Sequence, residues 1–295
     1  MKFLMAALSL LPTLTFAASL TVGTYNIRNF DYDERYRIRT NKSELAKIIN
    51  ETKADLIAVQ EINNAVEFER YAEATFPEFE AELTECGGAH DQKVGFLFNT
   101  KKLNLLSFNQ DLALTNPGGR DTCDQGSRPA GVALFEIIET KQKFYALSVH
   151  LKSGSQGDSL RKRVKQFAII QKLVQDLQAT GVKDFVVAGD MNTTTYNVRG
   201  EDYKVLKGVA TALEATDLSS GLACTAYWWG NSDDGIETPS ILDHVLISKG
   251  LIKKEVKTQL GGHCKAVSCK EISERELGES YANVSDHCPV TATIQ

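Results

Sequence analysis

The chain has 295 residues, of which 42% are hydrophobic and 24% are charged, and its formal net charge is −5. This composition is that of a folded globular protein, so it excludes a disordered, collagen-like or coiled-coil chain. An acidic protein has no overall electrostatic attraction for nucleic acid. Any phosphate site would have to be built locally, from a metal ion and a few cationic side chains.

The amino terminus has the pattern of a targeting signal. Lys2 precedes an apolar run over residues 3–14, and small residues at a cleavage-site spacing follow in Thr15-Phe16-Ala17. The run is too short for a membrane span, which needs about 20 apolar residues. We therefore predict a signal peptide over residues 1–17, a secreted or periplasmic protein and no transmembrane segment. Residues 18–295 are long enough for one large domain or two small ones.

Strands and helices follow each other without regular alternation, which predicts an α+β layered fold rather than a doubly wound sheet. Long polar loops are expected over 109–129, 192–200, 225–239 and 261–285, and such loops often carry function. In chain order, hydrophobic periodicity predicts a strand at 20–26, helices at 43–52 and 65–75 around a strand at 55–60, strands at 93–99, 103–108, 132–138 and 144–150, a long helix at 158–179, and strands at 185–188, 241–247 and 289–294.

Six cysteines behind a signal sequence indicate disulfides. Cys86 and Cys123 each lie just before a predicted strand, so we expect them to pair if those strands are close in one sheet. Cys264 can pair with Cys269, or one of the two can reach Cys224. Cys288 is either bridged or free. The alternative for Cys264-x4-Cys269, with His263 beside it, is half of a zinc site, but no second ligand pair completes four ligands.

Polar or acidic residues repeatedly stand at the ends of predicted buried strands. Any one of them could be an ordinary turn or capping residue. Six such sites predict one constellation assembled from distant segments. The residues concerned are Asn26, Glu61, His150, Asp190, Asn192, Asp243, Asp286 and His287.

This set of side chains suits phosphodiester cleavage. Carboxylate and amide oxygens are ligands that Mg²⁺ prefers. A histidine beside an aspartate can take a proton from water, while a second histidine steadies a phosphate or leaving oxygen. The sequence contains no Gly-x-x-x-x-Gly-Lys loop and no Gly-x-Ser-x-Gly elbow, so a nucleoside triphosphatase and a serine hydrolase are not favoured.

The same segments resemble the endonuclease/exonuclease/phosphatase family, which includes DNase I, exonuclease III and bacterial sphingomyelinases. The resemblance implies one domain, a four-layer α/β sandwich with two sheets packed face to face and helices outside. The matching motifs occur in the family's order: Thr24-Tyr25-Asn26-Ile27-Arg28, Val59-Gln60-Glu61, Ser148-Val149-His150-Leu151-Lys152, Gly189-Asp190-Met191-Asn192, Leu242-Asp243-His244-Val245-Leu246 and Ser285-Asp286-His287-Cys288-Pro289-Val290.

The resemblance also implies roles for the eight residues. Glu61 would be the principal Mg²⁺ ligand, with Asn26 and Asp286 completing or ordering the metal site. Ca²⁺ and Mn²⁺ are alternative ions. His287 would be the general base or phosphate-orienting imidazole, and Asp243 its carboxylate partner.

The remaining three would act on the substrate. Asp190 and Asn192 would position the attacking water and the scissile phosphate. His150 would hydrogen-bond the phosphate or help the leaving 3′-oxygen.

Four further residues are candidates for substrate binding. Arg128 lies where DNase-like members place a phosphate-contacting arginine, although a solvent-exposed loop arginine is the alternative. Lys152 could face the DNA backbone or be merely solvated. Trp228 and Trp229 could stack on bases, enter a membrane surface, or pack under a loop. The charge run over residues 161–165 predicts an exposed helix face.

The first hypothesis is therefore a secreted, monomeric, Mg²⁺-dependent, DNase I-like endonuclease, with DNA as the substrate and RNA as an alternative. The second is a phospholipid phosphodiesterase of the sphingomyelinase type. The third, a non-catalytic binding or toxin-like module, is disfavoured because each core residue of the family pattern is present.

Overall fold

A computed structural model describes residues 19–230, 234–252, 254 and 256–294. The signal peptide predicted for residues 1–17 lies outside the described residues. No described helix has the length and apolar character needed to cross a lipid bilayer. The helices are α1 (Lys42–Thr52), α2 (Ala65–Thr75), α3 (Gly157–Ala179), α4 (Glu201–Ala212), α5 (Gly262–Ala266) and α6 (Glu274–Asn283).

The strands form two large sheets and two small ones in the described part of the chain. They are β1 (Leu20–Phe30), β2 (Tyr32–Asp33), β3 (Ile38–Arg39), β4 (Leu56–Ile62), β5 (Phe79–Leu83), β6 (Lys93–Asn99), β7 (Leu103–Asp111), β8 (Ala130–Ile137), β9 (Lys143–His150), β10 (Asp184–Asp190), β11 (Ala215–Asp217), β12 (Ala226–Trp228), β13 (Ile236–Ser240), β14 (Asp243–Ser248), β15 (Lys257–Leu260), β16 (Ile272–Ser273) and β17 (Val290–Ile294).

The first large sheet has the order β15-β17-β1-β4-β6-β5, and the second has the order β11-β14-β10-β9-β8-β7. In each sheet one central pair is parallel, β1 with β4 and β9 with β10, and the other pairs are antiparallel. The small sheets are β12-β13-β16 and the hairpin β2-β3.

The two large sheets pack face to face through an apolar layer, called here the inter-sheet core. Its members alternate along each strand, because every second side chain of a strand points to the same face. Each buried valine, leucine, isoleucine or phenylalanine in it contributes about 1.5–3 kcal/mol. The layer includes Leu20, Val22, Leu56, Ala58, Phe96, Phe98, Ala133, Phe135, Phe144, Ala146, Val186, Ala188, Val245, Ile247, Val290 and Ala292.

Helices cover the outer faces of both sheets. Helices α1 and α2 bury Ile48 and Phe68 against the outer face of the first sheet, and α3 and α4 bury Phe167 and Leu206 against the second. Asn41 begins α1 by accepting a hydrogen bond from the Glu44 amide, which satisfies a free donor of the first turn. The α+β class and the four-layer arrangement expected from the sequence are confirmed.

The predicted elements are largely present, with additions in the polar loops. Helix α4 was not predicted, and the loop expected over 261–285 contains α5 and α6. Likewise, the loop expected over 225–239 contains β12 and part of β13. The elements within these two loops are short and rest on a small separate core, so their own periodicity is weak. Its buried members are Cys224, Tyr227, Cys264, Leu277, Tyr281 and Cys288.

All six cysteines are paired. The expected Cys86–Cys123 bridge is confirmed, with a Cα–Cα distance of 5.0 Å. The Cys264–Cys269 alternative is wrong, because Cys269 reaches Cys224 and Cys264 pairs with Cys288. The first of those bridges was the other alternative considered. Both cysteines of the suggested zinc half-site are therefore committed to disulfides, and a free Cys288 is excluded.

The open edges of the sandwich are short, charged or irregular. At one edge, β5 carries Glu80 and Glu82, and β7 has a register shift between Leu105 and Ser107 that leaves Leu106 exposed. The Cys86–Cys123 bridge joins the loops beside this edge.

Candidate active site

Four strands carry polar side chains that continue the rows of the inter-sheet core at one end of the sandwich. Asn26, His150, Asp190 and Asp243 occupy the same alternating positions as the apolar residues before or after them on β1, β9, β10 and β14. In the second sheet, Asp190 is directly opposite both His150 and Asp243. The pleat of the strands therefore brings these four side chains to one end of the sandwich.

Glu61 joins them through a local irregularity of β4. Strict alternation would turn this side chain to the outer face, but the register with β6 shifts between Val59 and Ile62, and Glu61 has a φ of 60°. This left-handed conformation costs a non-glycine residue about 1–3 kcal/mol. The bulge directs the Glu61 carboxylate towards Asn26, whose Nδ2 donates to Oε1 at 3.1 Å.

Glu61 and Asp190 form the centre of the arrangement. Asn26 Nδ2 also donates to Asp190 Oδ2 at 3.1 Å, and His150 Nε2 lies 3.2 Å from Asp190 Oδ2 and 3.8 Å from Glu61 Oε1. The ligand atoms of Glu61, His150 and Asp190 all lie within 4.8 Å of one another. Asn26 Oδ1 accepts from the Arg28 amide at 3.0 Å, so in this orientation Asn26 orders the carboxylates through its NH₂ group.

The donor set fits a divalent cation. Two carboxylates converge here with a neutral amide between them, and carboxylate oxygens are the ligands of hard cations such as Mg²⁺. Asp286 is close by. Burial raises the pKa of its carboxyl, the adjacent His287 opposes the rise, and the Glu61 carboxylate adds to it. A cation held by Glu61 and Asp286 would relieve this repulsion.

His287 is oriented by Asp243. Its Nδ1 lies 2.9 Å from Asp243 Oδ2, while Nε2 lies 3.7 Å from Asp190 Oδ2. A carboxylate at Nδ1 favours the tautomer that keeps the proton there and leaves Nε2 free to accept one. Burial lowers the pKa of His287, but Asp243 and Asp190 outweigh burial and hold it well above the usual value. The positive charge of a cation at the neighbouring carboxylates would lower this pKa and so favour an unprotonated Nε2.

Asp190 is the shared partner of both histidines. Burial raises the pKa of its carboxyl, but His287 and His150 together lower it by more than burial raises it. The net shift is therefore downwards, and Asp190 is ionised. The Asn192 amide donates to Asp190 Oδ1 at 2.8 Å, and Asn192 Nδ2 donates to Leu151 O at 3.1 Å. Asn192 thereby links the loops that follow β9 and β10.

Gly189 permits this close arrangement. It has a φ of 155°, and a Cβ built on it would lie 1.9 Å from the carbonyl oxygen of Val149 on the neighbouring strand. Another side chain here would force β9 and β10 apart. Because Asp190 is the next residue, the separation of His150 and Asp190 depends on this glycine.

Arg128 is buried at the site and is not an exposed loop residue. Its Nη2 donates to Gln92 Oε1, and Gln92 Nε2 donates to Asn29 Oδ1 at 2.6 Å. Burial lowers the pKa of Arg128, while the Glu61 and Asp190 carboxylates raise it. The backbone N–H of Asn29 in turn donates to Glu61 Oε2 at 3.2 Å, so Gln92 and Asn29 connect Arg128 to Glu61.

The other predicted substrate-binding residues differ in position. Trp228 and Trp229 are exposed and line the cleft above the site. Lys152 is absent from the described residues that line this cleft. Its amide donates to Gln166 Oε1, and burial lowers the pKa of its amine, with Arg128 adding to the shift.

The cleft is large and open at the end of the sandwich. Its volume is about 1810 Å³. Glu61, His150, Asp190, Asn192, Asp286 and His287 line its floor together with Arg128. The space accommodates a polymer or a large headgroup as well as a small phosphate ester.

Arg163 is the main correction to the sequence analysis. The charge run 161–165 predicted an exposed face, but Arg163 is fully buried. Its guanidinium pairs with Asp202, donates to the carbonyls of Lys152 and Gly154, and donates to Thr194 Oγ1. It joins the loop after His150 to the loop after Asn192. The local charge pattern concealed this role because Asp202 is 39 residues away.

Several solved structures share this fold. The human Nocturnin catalytic domain with bound sulfate is 14% identical, with a TM-score of 0.65 and coverage of 94% of each chain. The TDP2 of D. rerio complexed with single strand DNA product is 15% identical, with a TM-score of 0.64 and coverage of 95% of this chain and 100% of that one.

A third similar structure, the mannosyl-6-phosphatase of Bacteroides thetaiotaomicron, is 16% identical, with a TM-score of 0.61 and coverage of 94% of this chain and 100% of that one. At these identities the likeness shows the fold alone. Among curated protein sequences, none is significantly similar to this chain. The sequence model of the endonuclease/exonuclease/phosphatase family, however, matches residues 23–287. The chain therefore belongs to the endonuclease/exonuclease/phosphatase family.

Proposed function

We propose that this protein is an exported, divalent-metal-dependent phosphodiesterase that cleaves DNA endonucleolytically, with Mg²⁺ as the metal. The observation that carries the proposal is the His287 ring, held at Nδ1 by Asp243 and directed at Nε2 towards Asp190 and the cleft. The His287–Asp243 pair lies beside the carboxylates of Glu61 and Asp286, which together suit a divalent cation. Within this family, such a set suits attack of water on a phosphate ester.

Each described side chain has a place in the reaction. Asp190, fixed by Asn192, orients a water molecule. His287 Nε2 takes the proton of that water as its oxygen bonds to phosphorus, and the bond from phosphorus to the 3′-oxygen breaks. His150 and Arg128 hold phosphate oxygens. The products are a 5′-phosphate and a 3′-hydroxyl, whose proton comes from His150 or solvent. A divalent cation at Glu61, with Asn26 and Asp286 beside it, would stabilise the charge that develops on phosphate.

Other observations support the proposal. The D. rerio neighbour holds a single-strand DNA product, and the Bacteroides neighbour is a sugar-phosphate phosphatase, so the shared chemistry is that of phosphate esters. The three disulfides are typical of an oxidising compartment and support export.

The test is a substrate panel for residues 18–295. Plasmid DNA, RNA, sphingomyelin vesicles and mannose 6-phosphate are each incubated with Mg²⁺ and, separately, with EDTA. We expect nicking and linearisation of the plasmid with Mg²⁺ and none with EDTA. Faster hydrolysis of sphingomyelin or of the sugar phosphate would replace the nuclease proposal, and cleavage that survives chelation would contradict the metal.

Glu61→Gln tests the metal site directly. An amide oxygen is a poorer ligand for a hard cation than a carboxylate, so this variant should need a higher Mg²⁺ concentration for half-maximal cleavage. Glu51→Gln, on the exposed face of α1, is the matched control and should behave as the wild type. An unchanged Mg²⁺ dependence in a folded Glu61→Gln protein would contradict the assignment.

A further inference from the structure

Exposed rings are concentrated on one rim of the cleft. Tyr32 and Tyr36 lie on the hairpin formed by β2 and β3, and Trp228 and Trp229 lie at the end of β12. Tyr36 is 47% exposed and Trp229 is 53% exposed, although both are large aromatic side chains. All four line the cleft. We call these four residues, with Arg35, the aromatic rim.

Arg35 connects the two halves of the rim. Its guanidinium carbon lies 5.0 Å from the ring centroid of Tyr36 and 5.8 Å from that of Trp229. Both distances are within the range of cation–π contacts. The hairpin and the tryptophan segment, which are distant in sequence, therefore meet through one planar cation and two rings.

The hairpin half is held in place from the floor of the site. Asp33 is buried, and its Oδ1 accepts from the amides of Arg35 and Tyr36 at 2.9 and 3.2 Å. Its Oδ2 accepts from Asn29 Nδ2 at 3.1 Å, and the Asn29 amide donates to Glu61. Two residues thus separate the rim from the proposed metal ligand.

The tryptophan half is held by the His287 segment. The Tyr227 amide donates to the Asp286 carbonyl at 2.9 Å, and Ala226 forms a bridge with His287. Rings that are fixed before binding lose little conformational entropy when a ligand stacks on them. A second cavity of about 460 Å³, lined by Tyr36, Trp228 and Trp229, leaves open space on another side of the rings.

We propose that the aromatic rim binds unpaired bases of a single-stranded nucleic acid segment next to the scissile phosphate. This inference deepens the proposed function and rests on it for the position of that phosphate. Every base has a π-face, and aromatic or guanidinium planes stack on it without regard to sequence. In a duplex those faces are already covered by neighbouring base pairs, so the rim favours unpaired strands.

The rim does not have the character of a membrane anchor. Its rings line the wall of a cleft, next to the polar side chains of the site. An interfacial anchor would present its apolar side chains on an outer surface, where they can enter the headgroup region of a bilayer.

The test uses the intrinsic fluorescence of the protein, since Trp228 and Trp229 are its only two tryptophans. The full mature chain is titrated in EDTA, which prevents cleavage, with a 15-nucleotide single strand, its duplex, and an abasic strand of equal charge. We expect quenching and tight binding with the single strand. The abasic strand should bind about tenfold more weakly, a difference of about 1.4 kcal/mol.

Matched variants separate stacking from charge. Trp229→Ala and Tyr36→Ala should each weaken single-strand binding, measured by anisotropy, by about tenfold, while duplex binding changes less than about twofold. Trp229→Phe keeps a ring and should retain most of the affinity. Leu106→Ala, an exposed residue of β7 outside the cleft, should change nothing.

Equal binding of the single and abasic strands, or an equal loss for single strand and duplex in Trp229→Ala, would overturn the inference. Co-sedimentation with sphingomyelin vesicles that is lost in Trp229→Ala would overturn it in favour of a membrane role. Failure of the proposed function looks different, because the plasmid would remain uncut whatever the binding data show. Plasmid cleavage without a single-strand preference would leave the function intact and remove only this inference.

Discussion

The inter-sheet core and the loops at the end of the sandwich are stabilised in different ways. The core is apolar, continuous and free of disulfides. The loops carry all three bridges, which span 37, 45 and 24 residues of sequence, and each is worth about 3–4 kcal/mol in chain-entropy models. A site of buried charges cannot contribute apolar burial, so covalent links and hydrogen-bond networks take its place. Changes to the two regions should therefore separate activity from stability.

The largest expected effect is on activity. His287→Ala should reduce plasmid cleavage by about 10²–10⁴-fold, because it removes the proton acceptor held by Asp243. Asp190→Ala should lose a similar factor. Both are measured as initial rates with Mg²⁺, and thermal melting shows that each variant is folded. Near-wild-type cleavage by a folded His287→Ala protein would contradict the assigned role.

A substitution in the inter-sheet core should reduce stability and leave activity unchanged. Phe135 is fully buried, and its ring centroid lies 5.2 to 5.8 Å from those of Phe96, Phe98 and Phe144. Phe135→Ala should lower the free energy of unfolding by about 3–5 kcal/mol. Cleavage per folded molecule should stay unchanged. Denaturant unfolding measures the loss, and a cost under 1 kcal/mol would show that the sheets do not depend on this layer.

Replacing Arg163 should affect both stability and activity. Arg163→Met leaves Asp202 buried without its partner, so we expect a loss of about 3–5 kcal/mol in unfolding free energy. Cleavage per folded molecule should also fall, since Arg163 joins the loops after His150 and Asn192. Arg161→Met is a matched control on the same helix, where the side chain is exposed, and should cost less than about 0.5 kcal/mol. Equal effects from the two variants would contradict the positioning role.

The smallest effect concerns acid stability in the loop region. Burial lowers the pKa of His263, which lies against the Cys264–Cys288 bridge, to about 3. Because the folded pKa is below the unfolded value of about 6.5, the contribution of neutral His263 is complete above pH 6.5 and is lost as the pH falls towards 3. At pH 5 the loss should be about 2 kcal/mol.

The measurement is denaturant unfolding at pH 7.5 and pH 5. His263→Gln should show a smaller loss between these two values than the wild type. His90→Gln, at an exposed histidine, serves as the control and should follow the wild type. The same pH dependence in wild type and His263→Gln would exclude this residue as the cause.

The sequence predicted most strands of the two large sheets because they obey a local rule, whereas the sandwich arrangement was predicted from the resemblance to the family. Alternation in 20–26 and 144–150 predicts both the strands and the faces, and it places Asn26 and His150 at the strand ends. The local pattern did not predict contacts between residues that are distant in the sequence. Nothing local to Arg163 indicates Asp202, and nothing local to Gln92 indicates Arg128 or Asn29. The short helices α5 and α6 exist because two disulfides and a small aromatic core support them, which a periodicity window does not detect.

The irregular edges of the sandwich have a consequence for association between copies. An exposed, regular edge strand offers free amides and carbonyls to a second chain, and strand addition of this kind leads to aggregation. Here β11 has three residues, β5 carries two glutamates, and β7 is interrupted by a bulge at Leu106. A second copy would meet broken registers and charge at these strands. The sheets therefore resist edge-to-edge growth in a concentrated solution.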